Sequence, residues 1–135
     1  MVKKALIVAL LSTGTVWVVF SQGNNGLAQS IQRGQVVYAT ICHNCHMDNG
    51  QGREGVYPPL AKSDFLIKDA KRAVDIVVNG LNGEIFVNGK KYNLDMPAQT
   101  QLTDQQVSDV LNFVRNSWGN KSKAITTTQV KAARK

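Results

Sequence analysis

Apolar residues recur along this chain at steps of three and four, the period of one face of an α-helix. The pattern predicts helices from Ser30, a candidate N-cap, to about residue 45, from about Asp69 to Asn79, and near the C-terminus. The repeating positions are Ile31, Val37, Tyr38 and Ile41 in the first segment, Ala70, Ala73, Val74 and Val77 in the second, and Val107, Val110, Leu111, Val114 and Trp118 in the third.

The first and last of these helices are predicted to pack on each other. Gly34 lies within the first helix, where glycine costs about 1 kcal/mol relative to alanine. A glycine at such a position often marks close contact with a second helix, and the C-terminal segment has the matching apolar stripe. Thr103 and Gln106 form a capping box at the start of that segment. We therefore expect a crossing at Gly34, near Val114 or Trp118.

The segments between the helices predict a loop and a hairpin. Residues 49–63 are rich in glycine and proline, which indicates an irregular loop. Asn88-Gly89 is a two-residue turn signal, so a small β-hairpin is expected to lead into the segment around Met96. These elements predict an all-α fold of three to four helices with one small hairpin.

Composition and charge narrow the class of protein. The 135 residues, 43% of them hydrophobic, suit one compact domain. The formal net charge is +7, but two lysines lie before residue 5 and five basic residues, with no acid among them, follow Asn120. The rest of the chain carries no net charge. Because nucleic-acid-binding faces concentrate positive charge, we expect no nucleic acid as a partner of the folded domain.

The first 28 residues have the pattern of an export signal. Lys3 and Lys4 precede the uncharged, mostly apolar residues 5–20, and Gly26-Leu27-Ala28 supplies small residues for cleavage. The apolar run is short for a membrane span, which needs about 20 residues. The sequence predicts a signal peptide cleaved after Ala28. The alternative is an uncleaved N-terminal membrane anchor that associates with the membrane through residues 5–20.

Both cysteines lie in one short motif, Cys42-His43-Asn44-Cys45-His46. The C-x-x-C-H spacing is the signature of covalent c-type haem attachment. Residues three apart share one face of a helical turn, so both sulfurs can reach the same porphyrin, and His46 follows in position to ligate the iron. The sequence therefore predicts one covalent haem c.

Three other interpretations of this motif fit less well. A structural zinc site needs four ligands, which here would crowd into five residues with no second pair elsewhere. A thioredoxin-like dithiol would lie between a strand and a helix, whereas the residues before Cys42 predict a helix. A plain disulfide between Cys42 and Cys45 is the ordinary expectation for an exported protein, but the adjoining His46 favours haem.

Met96 is the candidate for the second axial ligand. Of the other methionines, Met1 lies in the predicted leader and Met47 adjoins His46 on the wrong face of the ring. Pro97 biases Met96 towards an extended conformation, which suits a loop that projects a thioether inward. The alternative is that Met96 only fills the core.

Taken together, residues 30–120 resemble the monohaem class I cytochromes c. The resemblance is strongest in the C-x-x-C-H motif, Pro58-Pro59-Leu60, Met96-Pro97 and residues 102–118. It implies the cytochrome c fold, with helices surrounding one covalently bound haem. More narrowly, residues 57–64 and the hairpin look like bacterial cytochrome domains found with copper nitrite reductases or quinoprotein dehydrogenases.

The resemblance also implies a role for two residues of the loop. In the family, the carbonyl oxygen of the proline in a Pro-x-Leu element accepts a hydrogen bond from the proximal imidazole, and Pro58 and Leu60 match that element. Such a bond would orient His46 and raise its basicity.

Function follows from this expected coordination. Iron ligated by both His46 and Met96 has no open position, so outer-sphere electron transfer is favoured over substrate binding. We expect a periplasmic electron carrier, not an enzyme, whose partners are redox proteins such as a membrane oxidoreductase, a terminal oxidase or a reductase. Two alternatives stay open: a haem subunit permanently docked in a larger oxidoreductase, and a peroxidase or gas-binding haem protein if Met96 is not a stable ligand.

These observations divide the chain into three parts. Residues 1–28 are the predicted leader and residues 29–120 the cytochrome domain. Residues 121–135 form a basic tail without apolar periodicity, which we expect to be solvated and disordered. An acidic partner or an anionic lipid surface is the alternative environment for the tail.

Overall fold

The computed structural model describes residues 25–134, so the predicted apolar leader segment 5–20 lies outside the described part. No helix within residues 25–134 is long and apolar enough to cross a membrane. The helices are α1 (Asn25–Val37), α2 (His43–His46), α3 (Asp64–Lys68), α4 (Ala70–Asn79), α5 (Asp104–Val114) and α6 (Thr127–Ala133); the strands are β1 (Ile85–Val87) and β2 (Lys90–Tyr92); and a π-helical turn (Tyr38–Cys42) joins α1 to α2.

The crossing of α1 and α5 forms the centre of the fold. At Gly34 the two backbones touch, since a Cβ atom there would lie 1.9 Å from the carbonyl oxygen of Asp109 and 2.9 Å from the Cβ of Phe113. Only glycine allows an approach this close. The predicted helix crossing is confirmed, and its closest point on α5 lies at Asp109 and Phe113 instead of Val114 or Trp118.

Two helix ends differ from the prediction. Helix α1 already includes Asn25, so Ser30 is not an N-cap; its buried hydroxyl instead donates a hydrogen bond to Asp109. Helix α5 ends at Val114, and Trp118 follows it in a turn with φ of 53°. The Trp118 ring packs 5.0 Å from that of Tyr38, centroid to centroid. Tertiary contacts therefore override the local helix signals at both positions.

The middle of the chain agrees with the prediction and adds one helix. Asp69 caps α4 by accepting a hydrogen bond from the backbone N–H of Arg72, and the hairpin turns at Asn88-Gly89, where both φ angles are positive. Antiparallel pairing places Phe86 opposite Lys91. The extra element is the short helix α3.

The prediction of a disordered tail is wrong. Residues 121–134 pack on the domain, and α6 begins with a capping box formed by Thr126 and Gln129. The side chains of Ile125 and Val130 are 3% and 0% exposed, so both belong to the core. Their spacing matches no regular apolar repeat, and Ile125 is held through its backbone by polar groups of α5. The segment is ordered by contacts distant in sequence, which a periodicity analysis does not register.

Candidate functional site

An apolar cavity of about 240 Å³ lies among α4, α5, the hairpin and the loops after α2 and β2. All six predicted site residues line it: Cys42, Cys45, His46, Pro58, Leu60 and Met96. Most of the other lining residues are apolar, including Ile41, Leu66, Ala73, Ile76, Val77, Leu81, Ile85, Val87, Val110, Leu111 and Val114. The fold thus brings residues that are up to 54 positions apart to one largely apolar space.

The two cysteines reach the cavity from the junction between the π-helical turn and α2. Cys42 ends the π-helical turn and is half-buried, whereas Cys45 lies in α2 and is exposed. Burial, together with the nearby Cys45, raises the pKa of the Cys42 thiol to about 11. Cys42 and Cys45 are not joined by a disulfide bond in this structure. Two thiols three residues apart are the groups that thioether attachment consumes.

His46 is buried and held in one orientation. Its Nδ1 lies 3.0 Å from the carbonyl oxygen of Pro58. Because a carbonyl oxygen only accepts, Nδ1 carries the hydrogen and Nε2 keeps a free lone pair. Burial lowers the pKa of His46, an effect that the hydrogen bond to Pro58 opposes only in part, and so favours the neutral imidazole. The hydrogen bond that the family resemblance implied is present.

The loop that carries Pro58 is tightened around α2 by backbone hydrogen bonds. The N–H of Gly52 donates to the carbonyl oxygen of His46, and the N–H of Leu60 donates to that of Gly50. Gly52 has φ of 63°, and a Cβ atom there would lie 2.3 Å from the carbonyl oxygen of Tyr57. The predicted irregular loop therefore has a defined path, which brings the Pro58 carbonyl to His46.

Met96 reaches the cavity from a different part of the chain. Its backbone pairs with Leu81 through two hydrogen bonds of 2.9 Å, one in each direction. The N–H of Gln99 donates to the carbonyl oxygen of Val77 in the last turn of α4. These bonds hold the Met96 segment against the C-terminal end of α4.

Arg115 is a site neighbour that the sequence analysis did not identify. Its guanidinium is buried and donates to the carbonyl oxygen of Leu66, whose side chain lines the cavity, while its Nε has no partner among the described residues. Burial lowers the pKa of Arg115, an effect that Asp69 partly offsets. No sequence pattern distinguishes this arginine from the exposed cations, because its burial depends on α3.

Donor chemistry of this kind fits one class of cofactor. Two free thiols, an imidazole with a free Nε2 and a thioether surround an apolar cavity, which matches covalently attached haem. No group of three or more histidine, cysteine or acidic side chains in the described part of the chain is placed to hold a metal ion by itself. Fold and site together define a monohaem c-type cytochrome.

Comparison with known proteins agrees with this class. The chain belongs to the cytochrome c family, whose sequence model matches residues 31–118. The expected all-α cytochrome c fold and the covalent haem c cofactor are confirmed by this membership.

Individual relatives fall into two groups. Cytochrome c-552 of Thermus thermophilus is 41% identical over 102 residues, which are 73% of this chain and 68% of that protein. The cytochrome c subunit of alcohol dehydrogenase (quinone) from Gluconobacter oxydans is 34% identical over 110 residues, 79% of this chain but 22% of the subunit. The gluconate 2-dehydrogenase cytochrome c subunit of Pantoea cypripedii is 37% identical over 103 residues, 73% of this chain and 23% of that subunit. In the dehydrogenase subunits, this chain matches one part of a longer protein.

Proposed function

We propose that this protein is a one-electron carrier whose haem iron is ligated by His46 and Met96, and that it is not itself an enzyme. The observation that carries this proposal is that His46 and Met96 line the same apolar cavity as the two cysteines. When bound, the haem supplies the one-electron chemistry of its iron.

The residues of the chain tune that chemistry in three ways. His46 presents Nε2 in an orientation set by Pro58. A methionine thioether as second ligand raises the reduction potential. The apolar lining excludes water and disfavours net charge, which stabilises the less charged ferrous state. A carrier of moderately high potential follows, and a closed coordination sphere argues against a peroxidase or gas-binding function.

We further propose that the carrier works outside the cytoplasm, in the periplasm, and exchanges electrons with protein partners. Residues 1–28 support export because they combine two lysines, an apolar run and small residues at Gly26-Leu27-Ala28. Membrane oxidoreductases, terminal oxidases and reductases are the candidate partners. N-terminal sequencing of the protein from the periplasmic fraction tests this, since it should begin at Gln29; a start at Met1 in the membrane fraction would indicate the anchor.

A second candidate function is that of a haem subunit permanently docked in a larger oxidoreductase. The relatives named as cytochrome c subunits of dehydrogenases favour it. The two candidates differ in purification from the native host, because a docked subunit should co-elute with a dehydrogenase in constant ratio, whereas a free carrier should elute alone.

Covalent attachment is tested by intact mass. The wild-type protein should exceed its polypeptide mass by one haem that survives acid-acetone extraction. The Cys42→Ala/Cys45→Ala variant should lose its haem under the same extraction. Wild-type protein whose haem is fully extractable would contradict the attachment.

Axial ligation is tested by Met96→Ala, with Met47→Ala as the matched control. Ferric wild type and Met47→Ala should show the weak long-wavelength absorption band of sulfur-ligated iron and bind cyanide slowly. Met96→Ala should lose the band and bind cyanide rapidly, because the sixth position opens. Equally fast binding by wild type and Met96→Ala would refute ligation by Met96.

A further inference from the structure

The C-terminal end of α4 is the support of the Met96 segment. Three backbone hydrogen bonds join the Met96 segment to the last turn of α4 and the residues directly after it: Leu81 and Met96 exchange a pair, and Gln99 donates to Val77. A Cβ atom on Gly80 would lie 2.9 Å from the carbonyl oxygen of Met96, so the backbones of these two segments are also in direct contact. Residues 93–95, which precede Met96, are exposed. Much of the restraint on Met96 is therefore exerted through α4.

The same end of α4 is tied to the C-terminal helix. The side-chain Nδ2 of Asn79 donates to the carbonyl oxygen of Ala133 at 2.9 Å and to the carboxylate of Asp75 at 2.7 Å. Helix α6 is itself anchored, because Val130 is fully buried and Arg134 donates to the carbonyl oxygen of Leu102 at 2.6 Å. Asn79 directly precedes Gly80. Its side chain thus links the C-terminal end of α4 to a helix that is held at two further points.

We infer that Asn79 is a positioning residue for Met96, and that α6 acts through Asn79 as a strap that keeps the Met96 thioether in place. This inference rests on the proposed ligation of iron by Met96. Without the bond to Ala133, the last turn of α4 opens more readily, and the hydrogen-bonded pair of Leu81 and Met96 moves with it. The strap therefore controls how often the sixth position of the iron opens.

The experiment compares Asn79→Ala with Asp75→Ala in the haem-loaded, full-length protein. Asn79→Ala removes the bonds to both Ala133 and Asp75, whereas Asp75→Ala removes only the one within α4. Alanine is a better helix former than asparagine, so a loosened helix end cannot be attributed to intrinsic propensity. Cyanide binding to the ferric protein measures opening, and denaturant midpoints of both variants report global stability.

We expect cyanide to bind Asn79→Ala about fivefold faster than wild type, the factor that corresponds to one typical hydrogen bond. Asp75→Ala should bind it at the wild-type rate. Amide hydrogen exchange at Leu81 and Met96 should rise in Asn79→Ala alone, which gives a readout that does not depend on cyanide. Unchanged binding and exchange in Asn79→Ala, or an equal increase in both variants, would overturn the inference.

The Met96→Ala protein separates this inference from the proposed function. If wild type binds cyanide slowly, Met96→Ala rapidly and Asn79→Ala slowly, the strap is refuted while ligation by Met96 stands. If wild type already binds cyanide as fast as Met96→Ala, ligation fails and the positioning role falls with it. Faster binding by Asn79→Ala with both controls as expected supports the strap.

Discussion

Helix α5 separates two regions that are equally buried but chemically opposite. On one side, Val110, Leu111 and Val114 line the apolar cavity. On the other, Ser108, Asp109 and Asn112 are 2% to 3% exposed and contact α1 and the segment before α6. The apolar side leaves space for a cofactor. On the other side, the buried polar groups bond to neighbouring parts of the chain, next to a more open groove of about 290 Å³ that Ser30, Ser108 and Asn112 line.

The buried polar side chains of this side have hydrogen-bond partners within the protein itself. Asp109 accepts from Ser30, Arg33 and Gln105. Asn112 donates to Ser30 and to the carbonyl oxygen of Ile125, and it accepts from the N–H of Ile125. Buried polar groups are costly unless every partner is in place. These hydrogen bonds therefore select one arrangement of α1, α5 and the C-terminal segment.

The largest expected effect comes from truncation after Asn120. It removes Ile125 and Val130 from the core, which at roughly 2 kcal/mol for each side chain lowers the free energy of unfolding by about 4 kcal/mol. It also removes the Ile125 backbone groups to which Ser108 and Asn112 bond, so that Asn112 keeps only its bond to Ser30. Denaturant unfolding measures the loss.

The control for the truncation is full-length protein with Lys121→Ala and Lys123→Ala, two exposed positions. It removes charge and keeps the buried contacts, so its stability should match wild type. A truncated protein as stable as wild type would show that the packing of residues 121–134 contributes nothing.

Gly34→Ala should have the next largest effect. The added methyl group meets the Asp109 carbonyl oxygen, so α1 and α5 must separate, and we expect a loss of about 3 kcal/mol in the free energy of unfolding. Gln35→Ala, at an exposed position of the same helix, should change little. Equal denaturant midpoints for the two variants would argue against backbone contact at the crossing.

Asn112→Ala tests whether the two sides of α5 are separable. It leaves the N–H of Ile125 without its partner and removes one of the two bonds to the Ile125 carbonyl oxygen, which keeps its bond from Ser108. The loss should cost about 2 kcal/mol, measured by denaturant unfolding. The reduction potential should stay at the wild-type value. Val110→Ala, on the cavity side, should lower the potential because it admits water beside the haem. A shifted potential in Asn112→Ala would show that the polar side acts on the redox centre.

The smallest expected effect is on the stability of the fold at acidic pH, through the carboxylate of Asp109. Burial opposes ionisation of Asp109, but hydrogen bonds from Arg33, Ser30 and Gln105 outweigh it and hold the pKa of Asp109 below its usual 3.8. The ionised carboxylate therefore stabilises the fold above about pH 4, and this contribution is lost as the pH falls through the lowered pKa. Stability measured from pH 5 to pH 2 should decline less steeply in Asp109→Asn. The control is Asp48→Asn, at an exposed position, and its stability should follow that of wild type.

Local signals account for the parts of the molecule that were predicted correctly. The C-x-x-C-H motif, the capping box of Thr103 and Gln106, and the Asn88-Gly89 turn each operate within a few residues. The position of Met96 at the cavity could be predicted by elimination, because so few methionines and histidines are present. For these features the relevant contacts are short in sequence or the candidates are few, so the chain carries the information directly.

Local sequence signals were enough to predict the class of protein, the six residues that line the apolar cavity and the elements with strong capping or turn motifs. Contacts distant in sequence place Ser30 inside a helix, end α5 before Trp118 and bring Ile125 and Val130 of the C-terminal segment into the core. Ser30 meets Asp109 and Asn112 across 79 and 82 positions of sequence. Burying a polar group costs free energy unless its hydrogen-bond partner is in place. Such pairs therefore form only when the whole fold has brought both partners together.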